Sequence, residues 1–302
     1  MRVGVTGSTG FLGSALCRAL EARGDEVVRF VRPSSAPVSG RQVRWDPARG
    51  HVDEGDLAAL GGLDAVINLA GVSVAGRRWT RAYRDSVKES RRAATSLLVS
   101  SLATLPQGVG MLISSSAVGY YGSRGDEVLD EDSSTGQDFL SEVCRTWEAA
   151  AAPFAEAGGA LATIRTGIVL GAGGGVLERL VPLFRVGLGG VVGSGRQWIG
   201  PISLRDYVAA VLWILDHRCA GTFNLCAPEP CTNRAMTRTL ARALHRPGVA
   251  RVPAAVLRGV LGREMADNTV LASQRVVPTA LVRTGFVFAD PDISRVVASA
   301  LG

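Results

Sequence analysis

Short apolar runs alternate with amphipathic stretches along the first half of the chain, a spacing that predicts parallel strands joined by crossover helices. Strands are predicted at "RVGVT" from Arg2, "EVVRFV", "QVRW", "DAVINLAG", "GMLISSS" and "ATIRTGIVL". Between them, helical periodicity runs through "GSALCRALEAR", ended by Gly24, then "RAYRDSVKESRRAATSLLVSSLA", and "DFLSEVCRTWEAAAAPFAEA" from Asp138. Such βαβ repetition predicts an α/β fold with a doubly wound parallel sheet. Further on, the texture changes to glycine-rich loops, "GAGGG" and "GLGGVVGSG", and then to short helices broken by Pro247, Pro253 and Pro278. A helix "SLRDYVAAVLWILDH" and a strand "TFNLCA" intervene, so a second, smaller domain is expected to be discontinuous.

Composition narrows the classes. At 302 residues the chain fits about two domains. Hydrophobic residues make up 47% and charged residues 20%, the balance of a well-buried globular protein. The net charge of +6 is carried almost wholly by arginine, since Lys88 is the only lysine. Those arginines are scattered among acids, so the basic cluster that a nucleic-acid surface requires is missing. Five cysteines form no CxxC pair and the three histidines lie far apart, which indicates neither a disulfide framework nor a metal site. The chain opens "MRVGVTGSTG" without a charged-then-apolar leader, and "VAAVLWIL" from Val208 is too short to span a bilayer. A cytoplasmic, reduced protein is expected, with a small-molecule substrate and neither membrane nor nucleic acid as partner. Homo-oligomer formation is left open.

The chemistry begins at "TGSTGFLG". Gly7, Gly10 and Gly13 follow a strand and open a helix, so the chain can turn sharply, let a pyrophosphate approach its backbone and present a helix N-terminus to it. Thr9, Phe11 and Leu12 of the same turn are read as cofactor-binding with the glycines. At the end of the second strand an NAD site usually carries an acid that bonds the adenosine ribose. Here Val31 stands in that place, followed by Arg32, Ser34 and Ser35, and a guanidinium beside the ribose suits a 2′-phosphate. The expected cofactor is therefore NADP(H). Leu69, Ala70 and Gly71, in "NLAG" at a strand's carboxyl end, and Ser114, near the end of a later strand, are expected along the same cofactor. The expected NADP(H)-binding Rossmann domain spans residues 1–170 plus 201–228. The substrate domain takes 171–200 plus 229–302.

"TGSTGFLG", "NLAG" and "SSSAVGYYG" resemble the extended short-chain dehydrogenase/reductase superfamily, the nucleotide-sugar epimerases and dehydratases. More narrowly, "DFLSEVCRTWEAAA", "IRTGIVLGAGGG", "PLFRVGLGGVVGSGRQWI", "NLCAPEPCTN" and "VPTALVRTGFVF" resemble an atypical branch, the epimerase family proteins, which add a C-terminal domain of unknown function. The resemblance covers nearly the whole chain. It implies Arg32 at the 2′-phosphate, Leu69 and Ala70 by the adenosine, Arg91 as a further cofactor ligand, and Val169 near the nicotinamide end. The stretch "GPISLRD" departs from the branch, with Pro201, Ser203 and Arg205 in altered places and Asp206 alone keeping the pattern. Either that loop lines a different pocket or it is structural.

Ordinary members of the superfamily use a Tyr phenol to move a proton, with a Lys four residues later lowering its pKa. Leu140 and Cys144 occupy those places here, and no YxxxK exists in the chain, because the residue four before Lys88 is Arg84. Ser116 stands near the place of the catalytic serine, and Tyr120 and Tyr121 follow within one loop, so Ser116 and Tyr121 are the candidate catalytic residues. Cys144 has Arg145 beside it only in sequence, since adjacent helical residues do not face each other, and is read as a buried structural thiol. Two functions remain open. One is an NADP(H)-dependent oxidoreductase or epimerase-like enzyme acting on a small polar or carbonyl substrate; the other is an NADP(H)-binding sensor or scaffold without turnover.

Overall fold

The computed structural model describes residues 1–35, 38–248 and 250–302. Its central sheet has eight strands: β1 (Arg2–Thr6), β2 (Glu26–Val31), β3 (Arg41–Asp46), β4 (His51–Val52), β5 (Ala65–Asn68), β6 (Met111–Ala117), β7 (Ala160–Thr166) and β8 (Gly221–Leu225). Their order is β8-β7-β6-β5-β1-β2-β3-β4, parallel throughout except for the β3–β4 hairpin. The chain thus builds outward from β1 in one direction, then returns to build outward from its other side. This is the doubly wound topology expected from the apolar pattern, with its switch point between β1 and β5.

The named helices are α1 (Phe11–Ala22), α2 (Glu54–Ala58), α3 (Arg81–Leu102), α4 (Phe139–Glu156), α5 (Leu177–Arg185), α6 (Leu204–Asp216) and α7 (Asn233–Ala243). Successive strand side chains point to opposite faces, so each buried strand supplies two cores. Val3, Val5 and Ile113 pack with Leu16 and Leu20 of α1 and Val211 and Ile214 of α6. On the opposite face, Val28, Val66 and Leu112 meet Ala94, Leu98 and Leu102 of α3 and Ala151 of α4. Side-chain caps set the helix starts: Thr80 accepts from Tyr83 N before α3, and Asp138 accepts from Ser141 N before α4.

One expected strand is two. "ATIRTGIVL" ends its sheet pairing at Thr166, and Ile168–Leu170 instead pairs in parallel with Pro201–Ser203. Gly167 makes the break, because a Cβ there would lie 2.1 Å from the Gly200 carbonyl oxygen. Beyond it, Leu177 and Phe184 of α5, Met236 and Leu240 of α7 and Val296 and Val297 of the helix Ile293–Leu301 form a separate cluster. Among the described residues no helix is long and apolar enough to cross a membrane.

Candidate cofactor site

The glycine turn lies at the switch point. Gly7 has φ +64°, which a side chain rarely tolerates, and its carbonyl accepts from Gly10 N at 3.0 Å. A Cβ on Gly13 would meet the Gly7 oxygen at 2.2 Å, so the third glycine lets α1 press on the turn. α1 begins without a side-chain cap, leaving its first N–H groups free for an anion. Ser8 Oγ is buried there and has no hydrogen-bond partner among the described residues. Thr6 holds the opposite wall: its Oγ1 donates to Asn68 Oδ1 at 2.8 Å and accepts from the backbone N–H of Leu69 and Ala70 at 3.0 and 3.1 Å. Thr6 stands first in "TGSTGFLG", yet the glycine spacing assigns it no role of its own.

A cavity of about 940 Å³ opens from this turn. Of the expected cofactor residues, Gly7, Thr9, Gly10, Arg32, Leu69, Ala70 and Gly71 line it. Phe11, Leu12 and Gly13 do not: Phe11 and Leu12 pack against the core that contains Val169, and the Phe11 ring lies under Gly174 and Gly175. Ser114 is buried in β6 and receives Asn68 Nδ2 at 3.4 Å. Arg49, from the β3–β4 hairpin, also lines the cavity and was not expected. Uncapped backbone N–H donors and a phosphate-sized turn without competing side chains suit a dinucleotide, so the residues present fit one.

Arg91 sits on the far side of Gly71, where a Cβ would come within 3.1 Å of its guanidinium carbon. It is 9% exposed, stacks over the Trp147 ring at 4.8 Å, and gives Nη1 to the carbonyls of Val72 and Val87. Among the described residues no carboxylate pairs with it, and burial pulls its pKa down.

Leu140 and Cys144 both face the loop after β6, against Gly119. The Cys144 thiol donates to the Ala117 carbonyl at 3.5 Å, and burial, with the nearby Glu148 charge second to it, pushes its pKa up to about 11. One turn further along α4, Glu148 accepts from Ser116 Oγ at 2.6 Å and from Arg165 through both of its oxygens, each at 3.0 Å. Arg165 Nη1 also donates to Tyr121 Oη at 3.1 Å, and Tyr121 donates to Asn224 Oδ1 at 2.7 Å. Tyr121 is fully buried and outside the cavity, and burial raises its pKa well above the usual tyrosine range. Its phenolic proton is thus committed to Asn224. The geometry brings Ser116 and Tyr121 into one buried network through Arg165, with neither at the cavity wall.

The altered stretch "GPISLRD" makes structural contacts. Ser203 Oγ caps α6 through Asp206 N, and the Arg205 guanidinium pairs with Asp290 at 2.6 Å. Asp206 accepts from the backbone N–H of Ala289 and Asp290.

Residues 3–226 match the model of the NAD dependent epimerase/dehydratase family, and residues 252–300 match a domain of unknown function, DUF1731. An epimerase family protein of Mycobacterium tuberculosis is 43% identical over 287 residues, covering 95% of this chain and 93% of the relative. The human epimerase family protein SDR39U1 is 36% identical over 299 residues, covering 97% of each. Its crystal structure (isoform2) with NADPH superposes with a TM-score of 0.88 at 33% identity, over 99% of each chain. By sequence, by fold and by the glycine turn at the switch point, the chain belongs to the NAD-dependent epimerase/dehydratase family of short-chain dehydrogenase/reductases, in the branch with a C-terminal DUF1731.

Proposed function

We propose that this chain is an NADP(H)-dependent oxidoreductase or epimerase-like enzyme acting on a small polar or carbonyl substrate. The observation that carries the reading is the ribose corner: the end of β2 bears Arg32, Ser34 and Ser35 where an NAD site has an acid, and all three line the cavity that opens from the glycine turn. The human relative crystallised with NADPH supports the same cofactor. When bound, the nicotinamide would supply hydride chemistry.

This chain's residues divide the remaining tasks. The backbone of Gly7 to Gly10 and the α1 N-terminus hold the pyrophosphate, Arg32 the 2′-phosphate, and Leu69 to Gly71 the adenosine side. Arg91, close to Cys144, brings a cation to the neighbourhood from which the usual lysine is missing. Phe11, Leu12, Gly13, Ser114 and Val169 act from behind as packing that shapes the site. Residues 1–170 with 201–228 serve the cofactor, and 171–200 with 229–302 the substrate. Ser116 stays our candidate for orienting a substrate oxygen, while the enclosed Tyr121 fits an anchoring role better than proton donation. Glu148 accepts from Arg165 through both oxygens and from Ser116 through one, so it fits a role in positioning those two groups. The proton comes from the substrate, water or the partly exposed Tyr120.

The replacement of the dyad by Leu140 and Cys144 favours a second reading, an NADP(H)-binding sensor or scaffold without turnover. Single-turnover oxidation of bound NADPH against a library of carbonyl compounds separates the two. Loss of the reduced-cofactor absorbance with any member establishes the enzyme; complete inertness, with NADPH tightly bound, favours the sensor.

A further inference from the structure

The β3–β4 hairpin supplies a cation that the glycine motif and the β2 end do not announce. β2 and β3 run parallel, with Val31 opposite Arg44, so the residues just beyond them meet at one rim of the cavity. The β2 side contributes Arg32, and the β3 side contributes Arg49 three residues after the strand ends at Asp46. The hairpin has a firm base: Trp45 is 3% exposed and meets Phe30 edge-on with ring centroids 5.8 Å apart. Its turn is held by Asp46, whose carboxylate accepts from Ala48 N at 3.2 Å and whose carbonyl accepts from Arg49 N at 3.0 Å. The Arg49 side chain is 85% exposed and pairs, among the described residues, with Asp46 Oδ2 at 3.6 Å.

Resting on the NADP(H) reading, we infer that Arg49 is a second ligand of the cofactor's 2′-phosphate and closes on it opposite Arg32, with Asp46 holding the guanidinium at the rim when no phosphate is present. A phosphate monoester carries about −1.5 to −2 charges near neutral pH, more than one guanidinium neutralises. Its oxygens accept from guanidinium forks arriving from two sides. Arg32, with no carboxylate partner among the described residues, and Arg49, loosely paired, are the two cations in the lining of this cavity. An exposed pair such as Arg49–Asp46 contributes little by itself, so exchanging Asp46 for phosphate is easily done.

The test is a titration of NADPH, NADH and 2′-AMP against the full chain and the variants Arg49→Ala, Arg32→Ala and Asp46→Asn. Arg49 is exposed and outside the core, so its variant folds, which a thermal melt verifies. Arg49→Ala should weaken NADPH and 2′-AMP at least fivefold while NADH stays within twofold, and Asp46→Asn should tighten NADPH. Unchanged NADPH affinity in Arg49→Ala, with a wild-type preference for NADPH that Arg32→Ala removes, overturns the role of Arg49 and leaves the cofactor reading intact. Equal weakening of NADPH and NADH also overturns it, because Arg49 then meets a part common to both. Equal binding of NADPH and NADH by the wild type sinks the cofactor reading itself.

Discussion

The phenol of Tyr121 donates to Asn224 Oδ1 at 2.7 Å, joining the loop after β6 to the edge strand β8 across 103 residues of chain. The same oxygen accepts from Arg165, and Asn224 Nδ2 donates to the Val277 carbonyl, so one buried hydroxyl ties three segments together. Tyr121→Phe keeps the ring and leaves Asn224 Oδ1 without its partner. Stability should fall by about 1–3 kcal/mol, the cost of a buried unsatisfied polar group. Denaturant unfolding measures that loss, and NADPH affinity should not change. A variant as stable as wild type would show that the network relaxes around the gap.

Gly13 and Gly10 separate packing from conformation. The three atoms nearest a Cβ on Gly13 would all be backbone, at 2.2 to 2.9 Å, whereas one on Gly10 meets its nearest atom at 3.3 Å. Gly13→Ala should therefore lower the melting temperature, by overpacking worth about 1–3 kcal/mol, and weaken NADPH more than tenfold. Gly10→Ala should cost clearly less stability. Equal melting temperatures would contradict the close approach of α1 to the turn.

Arg91→Gln removes a buried guanidinium that has no carboxylate partner among the described residues and whose desolvation is already costly. The melting temperature without cofactor should move little, while NADPH affinity falls at least tenfold and the NADPH-induced rise in melting temperature shrinks. If 2′,5′-ADP weakens as much as NADPH does, Arg91 acts on the adenosine half, not near Cys144.

Cys144 is 3% exposed and burial pushes its thiol pKa up to about 11, so it should resist alkylation at pH 8. Cys219, partly exposed, should be labelled first. Mass spectrometry of peptides after a timed iodoacetamide pulse reads both. Rapid labelling of Cys144 in the folded protein would put a reactive thiol back among the catalytic candidates.

Glu131 accepts from the backbone N–H of Asn224 and Ala280, yet burial outweighs these bonds and raises its carboxyl pKa. The folded chain therefore binds this proton more tightly than the unfolded chain. Its contribution to stability is full below the unfolded carboxyl value, about 4.3, and is lost as pH rises through the folded value. Melting temperatures of wild type and Glu131→Gln, followed upward from about pH 4, should show the wild type losing ground to the variant. Parallel curves would mean that Glu131 is solvated in solution.

Which features were legible in the chain follows from the range of the forces involved. The glycine turn, the strand–helix alternation and the missing Tyr/Lys pair are local: sterics at Gly7 and Gly13, a period of apolar residues, and two side chains on one helix. Those could be read without a partner in view. Arg32 was legible for the same reason, since it stands at a strand end whose ligand-facing edge is set by topology. Tertiary structure decided the rest, because burial and hydrogen-bond partners come from distant segments. Arg49 reaches the cavity only because β3 pairs beside β2, Thr6 matters because it meets Asn68, and Gly167 breaks a continuous apolar run because Gly200 crosses it. Tyr121 looks like a proton donor in its loop, and only the fold shows that its hydroxyl donates a hydrogen bond to a carboxamide 103 residues away.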